Sequence, residues 1–377
     1  MPNTFLTPSV IAREALMVLR NNLVFGGLVH RDYSQEFTAK IGDTVTIRKP
    51  ATFEAKEFSE ASGIDVQTVT EGSTTVKLDK HLDVSFEITS RELTLSLDEF
   101  NERVLTPAMQ PFAQKIDEYL AGLYVDVPYY AGTAGSAPSA ADDIANCGKV
   151  LNINKAPMTN RNIVLDPVAQ AKLIVLDSFM EVDKAGTSEA LRNANLGRLL
   201  GFDTYMDQNI KDHTKGTLAA GTGQKITVKG AVAAGAVQMT LDDDSDSASA
   251  LAGKVNKGDI LLINSKPYII TKEATAADGE IAVDFYPASP GFSDNDEVTV
   301  IANHTANLAF HKNAFALVTR PLALPMGTDK AEYVSYDGLG VRVVQGYDTK
   351  YKKDVISLDM LCGVKTLTPE LACRLLG

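Results

Sequence analysis

The sequence predicts an α+β fold into which a small all-β domain is inserted. Two long segments have the 3.6-residue spacing of amphipathic helices, whereas residues 76–88 alternate with the period of a half-buried strand. Residues 215–303 differ from both, because they contain six short strand-like pieces separated by turn signals. A chain of 377 residues, 45% of them apolar, is long enough to form two or three domains.

The first predicted elements are a helix and a two-stranded arm. The helix covers residues 7–25, where Pro8 suits the first turn. A strand over 42–49 and the alternating strand over 76–88 enclose a polar, turn-rich tip. Since a two-stranded arm is marginally stable alone in water, its apolar face is expected to lie on a partner surface, from the same chain or a neighbour.

Four charged residues mark the tip of this arm. Glu54, Lys56, Glu57 and Glu60 lie within seven positions of each other. They are predicted to be assembly contacts with another subunit. The alternative is that they form only a mobile hairpin end, which is the commoner role of such tips.

A second long helix is predicted to begin at Ser96, which forms a capping box with Glu99, and to continue for nearly thirty residues. Pro107 and Pro111 lie inside it, and a kink or break is expected near them because proline lacks the backbone donor. A further helix is expected to open at Asp166 and Pro167 and to run to about Val182, before strands and turns over 196–210.

The inserted module contains both the six strand-like pieces and a run of aspartates. The predicted strands are "KITVKG", "AVQMTL", "DILLIN", "PYIITK", "IAVDFY" and "EVTVIA". Asp242, Asp243, Asp244 and Asp246 are predicted to be assembly contacts, although a solvated loop is the commoner structure for such a run. A calcium loop is disfavoured because the alternating ligand spacing and the closing glutamate are missing.

Composition excludes several classes of protein. The formal charge of −12 argues against a protein that binds nucleic acid by neutralising phosphates. The chain has no apolar run long enough to span a membrane, and its start lacks the pattern of a signal peptide. Cys147, Cys362 and Cys373 form no CxxC pair and are expected to be reduced thiols.

No motif of a catalytic, metal or cofactor site is found. The GxSxG, GxxxxGK[ST], HExxH and GxGxxG patterns are all missing. His304 and His311 lie seven residues apart with no carboxylate close by in sequence, so a structural role is favoured for both. We therefore expect neither catalytic residues nor a cofactor.

The order of these elements and several local sequences resemble the major capsid (coat) proteins of tailed bacteriophages of the P22 type, which have the HK97-like shell fold. The resemblance covers nearly the whole chain, and its specificity lies in the joint order of the stretches. The stretches are "ALMVLRNNLVFGGLVHRDYSQEF", "IGDTVTIRKPATF", "LTPAMQPFAQKIDEYL", "LGRLLGFDTYMDQNI", "VNKGDILLINSKPYIIT", "NLAFHKNAFALVTRPL", "GLGVRVVQGYD" and "LDMLCGVKTLTPELACRLLG".

The resemblance also implies a division of the chain into domains. The expected segments are 1–40 for an N-terminal arm, 41–90 for an extended loop and peripheral strands, 91–130 for a spine helix, 131–212 for an axial domain, 213–303 for the inserted β-barrel-like domain, 304–330 for the axial domain again, and 331–377 for peripheral strands that return to it. Residues 307–322 would re-enter the axial domain, with His311 and Lys312 at the end or on the exposed side of that segment.

The implied function is structural. A capsid protein of this family would form hexamers and pentamers with itself and assemble in the bacterial cytoplasm around a scaffolding protein. The shell would have a portal protein at one vertex and would enclose double-stranded DNA without sequence-specific binding, with room for a decoration protein and with no membrane. There are two rival interpretations. The first is an encapsulin-like shell that stores an enzyme. The second is that the chain is itself a hydrolase, for which no nucleophile with a positioned base can be named.

Overall fold

The computed structural model describes residues 8–31, 44–49, 72–89, 101–180, 193–194, 196–244, 251–325, 330–348 and 353–377. Helices and strands both contribute extensively, which confirms the predicted α+β fold. The α-helices are α1 (Pro8–Asn22), α2 (Phe25–Leu28), α3 (Thr106–Ala121), α4 (Ala141–Ile153), α5 (Pro167–Ile174) and α6 (Asp177–Met180).

Strands contain more of the described residues than helices do. They are β1 (Thr44–Lys49), β2 (Gly72–Lys77), β3 (Lys80–Thr89), β4 (Tyr130–Gly132), β5 (Arg161–Leu165), β6 (Arg198–Leu199), β7 (Phe202–Met206), β8 (Asp212–His213), β9 (Ile226–Val228), β10 (Gln238–Asp243), β11 (Lys254–Val255), β12 (Ile260–Ile263), β13 (Lys266–Ile270), β14 (Ala274–Thr275), β15 (Ile281–Tyr286), β16 (Glu297–Val300), β17 (His304–His311), β18 (Phe315–Arg320), β19 (Ala331–Tyr336), β20 (Leu339–Asp348), β21 (Lys353–Thr366) and β22 (Ala372–Leu376).

The chain divides into two compact units, and the first contains α1, the arm and a five-stranded sheet. This unit takes Met1–Asn22, His30–Phe112 and Ala316–Leu367. Its sheet has the order β18-β21-β20-β19, with β3 paired to β21. Helix α1 packs on β19 and β20. As its amphipathic spacing predicts, α1 buries one face, made of Ile11, Ala12, Ala15, Leu16 and Leu19.

The base of the predicted arm is present. Strands β1 and β2 pair antiparallel, from Thr44 opposite Lys77 to Lys49 opposite Gly72. The single strand expected over 76–88 is instead two strands, because the chain leaves β1 at Leu78 and joins β21 from Lys80 onward. Side-chain alternation passes through this junction unbroken, so the sequence pattern does not show the change of partner. Residues 50–71, including the tip, lie outside the described residues.

The described part of the long helix shows an interruption at the first of its prolines. Asn101–Leu105 is a π-helical turn, and α3 begins at Thr106. Pro107 lies in the first turn of α3, where a missing donor breaks no intrahelical hydrogen bond, and Pro111 lies inside α3 without ending it. The expected capping box at Ser96 and Glu99 lies outside the described residues.

The second unit contains a seven-stranded sheet and the barrel. The main path of the sheet is β4-β22-β17-β5-β7-β6, and β8 pairs with the start of β17. Helices α4 and α5 contribute to its apolar core, where Cys147 and Cys373 are buried. Asp166 caps α5 as predicted, accepting hydrogen bonds from the backbone of Val168 and Ala169. The helix ends at Ile174, before the expected Val182, and the four-residue α6 follows.

The inserted module is a closed barrel. Its six strands follow the order β10-β15-β13-β12-β16-β9, and each corresponds to one of the six predicted strand pieces. The interior is apolar and well separated from solvent. At the foot of the barrel, His213 of β8 lies opposite His304 of β17, so the chain enters and leaves the module at neighbouring positions of one ladder.

Residues 304–330, expected to form one axial segment, contain a change of sheet. Strand β17 belongs to the seven-stranded sheet and β18 to the five-stranded sheet, and the division between the units falls after Phe315. A 3-10 turn, Lys312–Ala314, separates the two strands, and His311 caps it by accepting a hydrogen bond from the Asn313 amide. His311 therefore ends its strand as expected, but its side chain is buried. The continuous apolar pattern conceals this turn.

Candidate subunit contacts and the buried junction of the barrel

The predicted contact residues of the arm, Glu54, Lys56, Glu57 and Glu60, lie outside the described residues. The structure describes the ladder below them, which ends at the pair Lys49 and Gly72. The assembly role of these four residues therefore stays a prediction.

The aspartate run lies at the end of β10 in the barrel. Asp242 accepts a hydrogen bond from the Thr227 hydroxyl at 2.9 Å, and Asp244 accepts one from the Lys225 amide at 2.8 Å. Asp243 is only 3% exposed, so its side chain faces inward, while Asp244 is exposed. Asp246 lies outside the described residues. The run is thus partly engaged within its own barrel, and Asp244 is the described aspartate most available to a neighbour.

Two lysines that flank β9 balance part of this negative charge. Lys225 forms an ion pair with Glu297 at 2.8 Å, and Lys229 pairs with Glu280. The hydrogen bond to Glu280 raises the pKa of Lys229, to which Asp242 also contributes. These pairs are on the surface, where solvent screens the two charges and an ion pair contributes little to stability. Their charges affect the local electrostatic potential more than they stabilise the barrel.

A buried polar cluster, which sequence reasoning missed, joins the barrel to the seven-stranded sheet. His213 contacts Asp259 through Nε2 at 2.8 Å and the Tyr124 hydroxyl through Nδ1 at 3.1 Å. Asp259 also accepts hydrogen bonds from the backbone amides of Gly216 and Asn256. We call the cluster of Tyr124, His213, Asp259, His304 and Arg374 the polar junction.

Arg374 of β22 links the sheet to this junction. Its Nη1 donates to the carbonyl of Gly258 at 2.9 Å, and its guanidinium lies 5.0 Å from the centre of the Tyr124 ring. Gly258 has a φ of +95°, and a Cβ there would lie 3.0 Å from the Val125 side chain, so this close approach requires glycine. Burial lowers the pKa of Arg374 to about 9.

His304 completes the junction from β17. Its ring centre lies 5.1 Å from that of His213, and its Nδ1 lies 2.9 Å from the carbonyl of Ala302. Burial lowers the pKa of His304 to about 4, and the neighbouring Arg374 and His213 act in the same direction. His304 is therefore neutral at pH 7.

The polar junction contains a Tyr–His–Asp arrangement, but its geometry favours a structural role over a catalytic one. The side chains of His213 and Asp259 are 3% and 0% exposed, so a substrate has no access to the imidazole. Asp259 accepts hydrogen bonds from Asn256 in its own module and from Gly216 in the segment that leads into the module, which fixes the direction of that segment. Among the described residues, no cluster of His, Cys, Asp and Glu could hold a metal ion.

A second buried carboxylate holds the segment that follows α1. Asp117 of α3 accepts hydrogen bonds from the amides of Val24 at 2.8 Å and Gly26 at 3.0 Å. Phe25, between them, stacks on Phe310 with ring centres 5.9 Å apart. Burial raises the pKa of Asp117 to about 7, although these backbone donors oppose the shift.

Comparison with known proteins identifies a family to which this chain is similar. The family described as P22 coat protein, gene protein 5, matches residues 6–252, about two thirds of the chain. No curated protein shows a significant match. No described helix has both the length and the apolar character that a membrane crossing requires.

Three similar solved structures come from particles. The structure of Mycobacterium phage Che8 is 18% identical, with 93% of this chain and 90% of that chain covered and a TM-score of 0.49. The mature capsid of bacteriophage PhiM1 is 13% identical, with 88% and 81% covered and a TM-score of 0.44. A virus-like particle from Pyrococcus furiosus is 9% identical, with 97% of both chains covered and a TM-score of 0.40.

The family match covers the N-terminal helix, the arm, α3, the helices and first strands of the seven-stranded sheet, and the first part of the barrel. It confirms the resemblance from which the HK97-like fold was expected, and it favours a phage coat protein over an encapsulin-like shell. The chain belongs to the P22 coat protein family and is a capsid shell protein.

Proposed function

We propose that this chain is the major capsid protein of its phage, and that it assembles around a scaffolding protein into an icosahedral shell of hexamers and pentamers enclosing double-stranded DNA. The observation that carries the proposal is the family match over residues 6–252. The same proposal includes a portal protein at one vertex, assembly in the bacterial cytoplasm, and room for a decoration protein on the outer surface.

Two elements of the fold are candidates for the contacts that a closed shell needs. A shell is made from many copies in repeated heterologous contacts, so each subunit must present structures that lie on its neighbours. We expect the β1–β2 arm and the inserted barrel to serve as two such structures. Each contact can be weak, because the shell sums many of them.

The net negative charge of the chain supports a shell that encloses DNA without binding it tightly. A net charge of −12 disfavours binding to a polyanion, because such binding needs a basic surface. We expect the purified subunit to give no sequence-selective shift of a DNA fragment in a gel at about physiological salt. A sequence-selective complex that resists salt would contradict this part of the proposal.

Electron microscopy of the expressed protein tests the proposal directly. The protein is expressed alone and together with the scaffolding gene from the same genome. Closed particles of one size, or irregular shells that become regular with the scaffold, are the expected result. A monomer or a small ring under both conditions would contradict a shell function.

The aspartate run of the barrel is proposed to contact basic residues of a neighbouring capsomer. The motivating observation is that Asp244 is exposed at the end of β10. The test variant replaces Asp242, Asp244 and Asp246 by Asn and leaves the buried Asp243 intact. Tubes or fragile shells are expected. Asp278→Asn, an exposed change elsewhere on the barrel, serves as the matched control, and particles unchanged in both variants would contradict the contact.

A further inference from the structure

A pocket in the second unit lies where α4, β4 and the turn between β12 and β13 meet. Its volume is about 380 Å³, which is within the usual range for ligand sites. All three elements contribute side chains or backbone to its lining, which includes Tyr130, Gly132, Val150, Ile153, Ser265 and Pro267. Helix α4 packs on β4, so two of the walls are fixed against each other.

One wall of the pocket is the edge strand of the seven-stranded sheet. Strand β4 pairs with β22 on one side, and no described strand pairs with its other edge. The carbonyl of Tyr129 accepts a hydrogen bond from the amide of Arg374 at 2.8 Å, so it faces β22. Because the backbone polar groups of successive residues point to opposite edges of a strand, those of Tyr130 and Gly132 point to the open edge. An open edge of this kind can pair with an extended peptide.

The wall formed by α4 carries an exposed apolar side chain. Ile153, the last residue of α4, is 68% exposed, and Val150, three residues earlier on the same face, is half-buried. Pro267 adds apolar surface from the start of β13. A single exposed isoleucine is common on protein surfaces, but this one lies in a concave site beside a strand edge. The wall therefore suits an apolar side chain of a peptide bound along β4.

Two lysines that have no ion pair with a described residue flank the pocket. Most lysines of the barrel module do have a carboxylate partner, namely Lys225, Lys229, Lys254, Lys257 and Lys272. Lys149 lines the pocket from α4, and Lys266 lies between Ser265 and Pro267; both are exposed. In a chain with a net charge of −12, two such cations beside one pocket favour a negatively charged ligand.

A carboxylate near the pocket is already engaged within the second unit. The backbone carbonyl of Glu370 accepts a hydrogen bond from the Asn154 side chain at 3.1 Å, which places Glu370 beside the pocket wall. Its carboxylate accepts a hydrogen bond from the Tyr286 hydroxyl. Glu370 therefore has a partner of its own and leaves the two lysines available to a ligand.

We propose that this pocket binds an extended acidic peptide of a partner protein, which adds a strand to the open edge of β4. An apolar side chain of the peptide packs on Val150 and Ile153, and its carboxylates lie beside Lys149 and Lys266. A peptide fits this site better than a polynucleotide does, because only a peptide has the backbone donors and acceptors that pair with a strand edge. The site is separate from the shell contacts proposed above and gives the subunit a place to hold another protein.

Peptide selection on the full-length protein tests the ligand. A library of octapeptides, random at every position, is displayed on yeast and sorted for binding to the purified full chain. The selected peptides are expected to carry acidic residues on both sides of an aliphatic or aromatic residue. Lys149→Glu should weaken binding of the best peptide by about ten-fold. Lys172→Glu, which changes an exposed lysine of α5 outside the pocket, should alter the affinity by less than about two-fold.

Methylation of the peptide backbone tests the strand pairing. N-methyl groups on alternate residues of the best peptide block the hydrogen bonds along one edge of the bound strand. Methylation in one of the two registers should lower the affinity by about ten-fold, whereas methylation in the other register should have little effect. Equal effects in the two registers would contradict the addition of a strand to β4.

Three other outcomes would overturn the proposal. The first is a selection without acidic peptides, or equal binding of the best peptide to the Lys149→Glu and Lys172→Glu proteins. The second is binding of a single-stranded oligonucleotide that only Lys149→Glu abolishes, which would identify nucleic acid as the occupant. The third is a loss of closed particles in Lys149→Glu without any selected peptide, which would identify a second copy of the chain. Circular dichroism establishes that each variant is folded, and the shell function itself is tested separately, by microscopy of the unaltered protein.

Discussion

The interior of the barrel and the polar junction at its foot are both buried, but they have opposite chemistry. Tyr268, Phe285 and Phe292 pack edge-on or tilted in the barrel, with ring centres 5.2 to 6.0 Å apart. The junction holds His213, Asp259 and Arg374 in hydrogen bonds and ring contacts. The stability of an apolar core depends mainly on how completely side chains fill its volume. A buried polar group, in contrast, is stable only when its hydrogen-bond partners are in place.

The difference indicates that the two regions have different structural roles within the second unit. The barrel interior supplies most of the stability of the module, because it removes many apolar side chains from water. The polar junction fixes the direction in which the module leaves β8 and returns to β17, since hydrogen bonds to buried charges tolerate little misalignment. Substitutions in the two regions should therefore differ in their sensitivity to shape and to charge.

The largest effect is expected inside the barrel. Phe285→Ala should lower the free energy of unfolding by about 3–5 kcal/mol, because it removes a large buried ring and leaves a cavity. Urea denaturation measures the change, and amide hydrogen exchange locates it. Exchange should rise within residues 226–300 more than in the seven-stranded sheet, and a uniform rise would contradict a separately stabilised module.

A nearly isosteric change at the polar junction should cost almost as much. Asp259→Asn is expected to destabilise the protein by about 2–3 kcal/mol, since the new amide group meets the backbone donors of Gly216 and Asn256. The exposed Asp278→Asn, measured in the same urea experiment, should change stability by less than about 0.5 kcal/mol. Equal effects in the two variants would remove the distinction between junction and surface.

Acid should weaken the junction through His304. Its folded-state pKa of about 4 lies below the ordinary value of 6.5, so the folded protein binds the proton less tightly than the unfolded chain does. The stability contributed by neutral His304 is complete above about pH 6.5 and is lost as the pH falls toward 4, by about 2 kcal/mol at pH 4.5. His304→Gln should flatten this part of the stability curve, and an unchanged slope would contradict the assignment.

The smallest effect is expected from a volume-conserving change in the barrel. Ile270→Leu keeps the number of carbon atoms at a fully buried position and should cost less than about 1.5 kcal/mol. Thermal unfolding measures it as a small fall in Tm. A loss larger than that of Asp259→Asn would reverse the proposed contrast between shape and charge.

Much of the fold could be predicted because it depends on local patterns. The six barrel strands alternate or run apolar between turn residues, and Asp166 with Pro167 marks the start of α5. The change from β2 to β3 and the turn at Lys312–Ala314 escaped detection for a common reason. In both places the pattern of apolar residues continues while the pairing partner changes, and pairing is decided by distant parts of the chain.

The polar junction could not be assembled from the sequence, because its residues come from five separated segments. Tyr124 and Arg374, for example, lie 250 residues apart but meet in the second unit. One local signal existed: Arg374 is the only charged residue in the apolar stretch "LACRLLG", which indicates a buried cation that needs a partner. The assembly role of Glu54, Lys56, Glu57 and Glu60 stays a prediction, because the sequence indicates only their charge and their place at the tip of the arm.

The place of β22 in its sheet has a consequence for the timing of synthesis. This strand lies between β4, to which it is parallel, and β17, to which it is antiparallel. Ribosomes make residues 372–376 after both neighbours, so β4 and β17 have unpaired edges until then, and the long sequence separation makes closure slow. A nascent chain therefore lacks the finished sheet until residues 372–376 have been made.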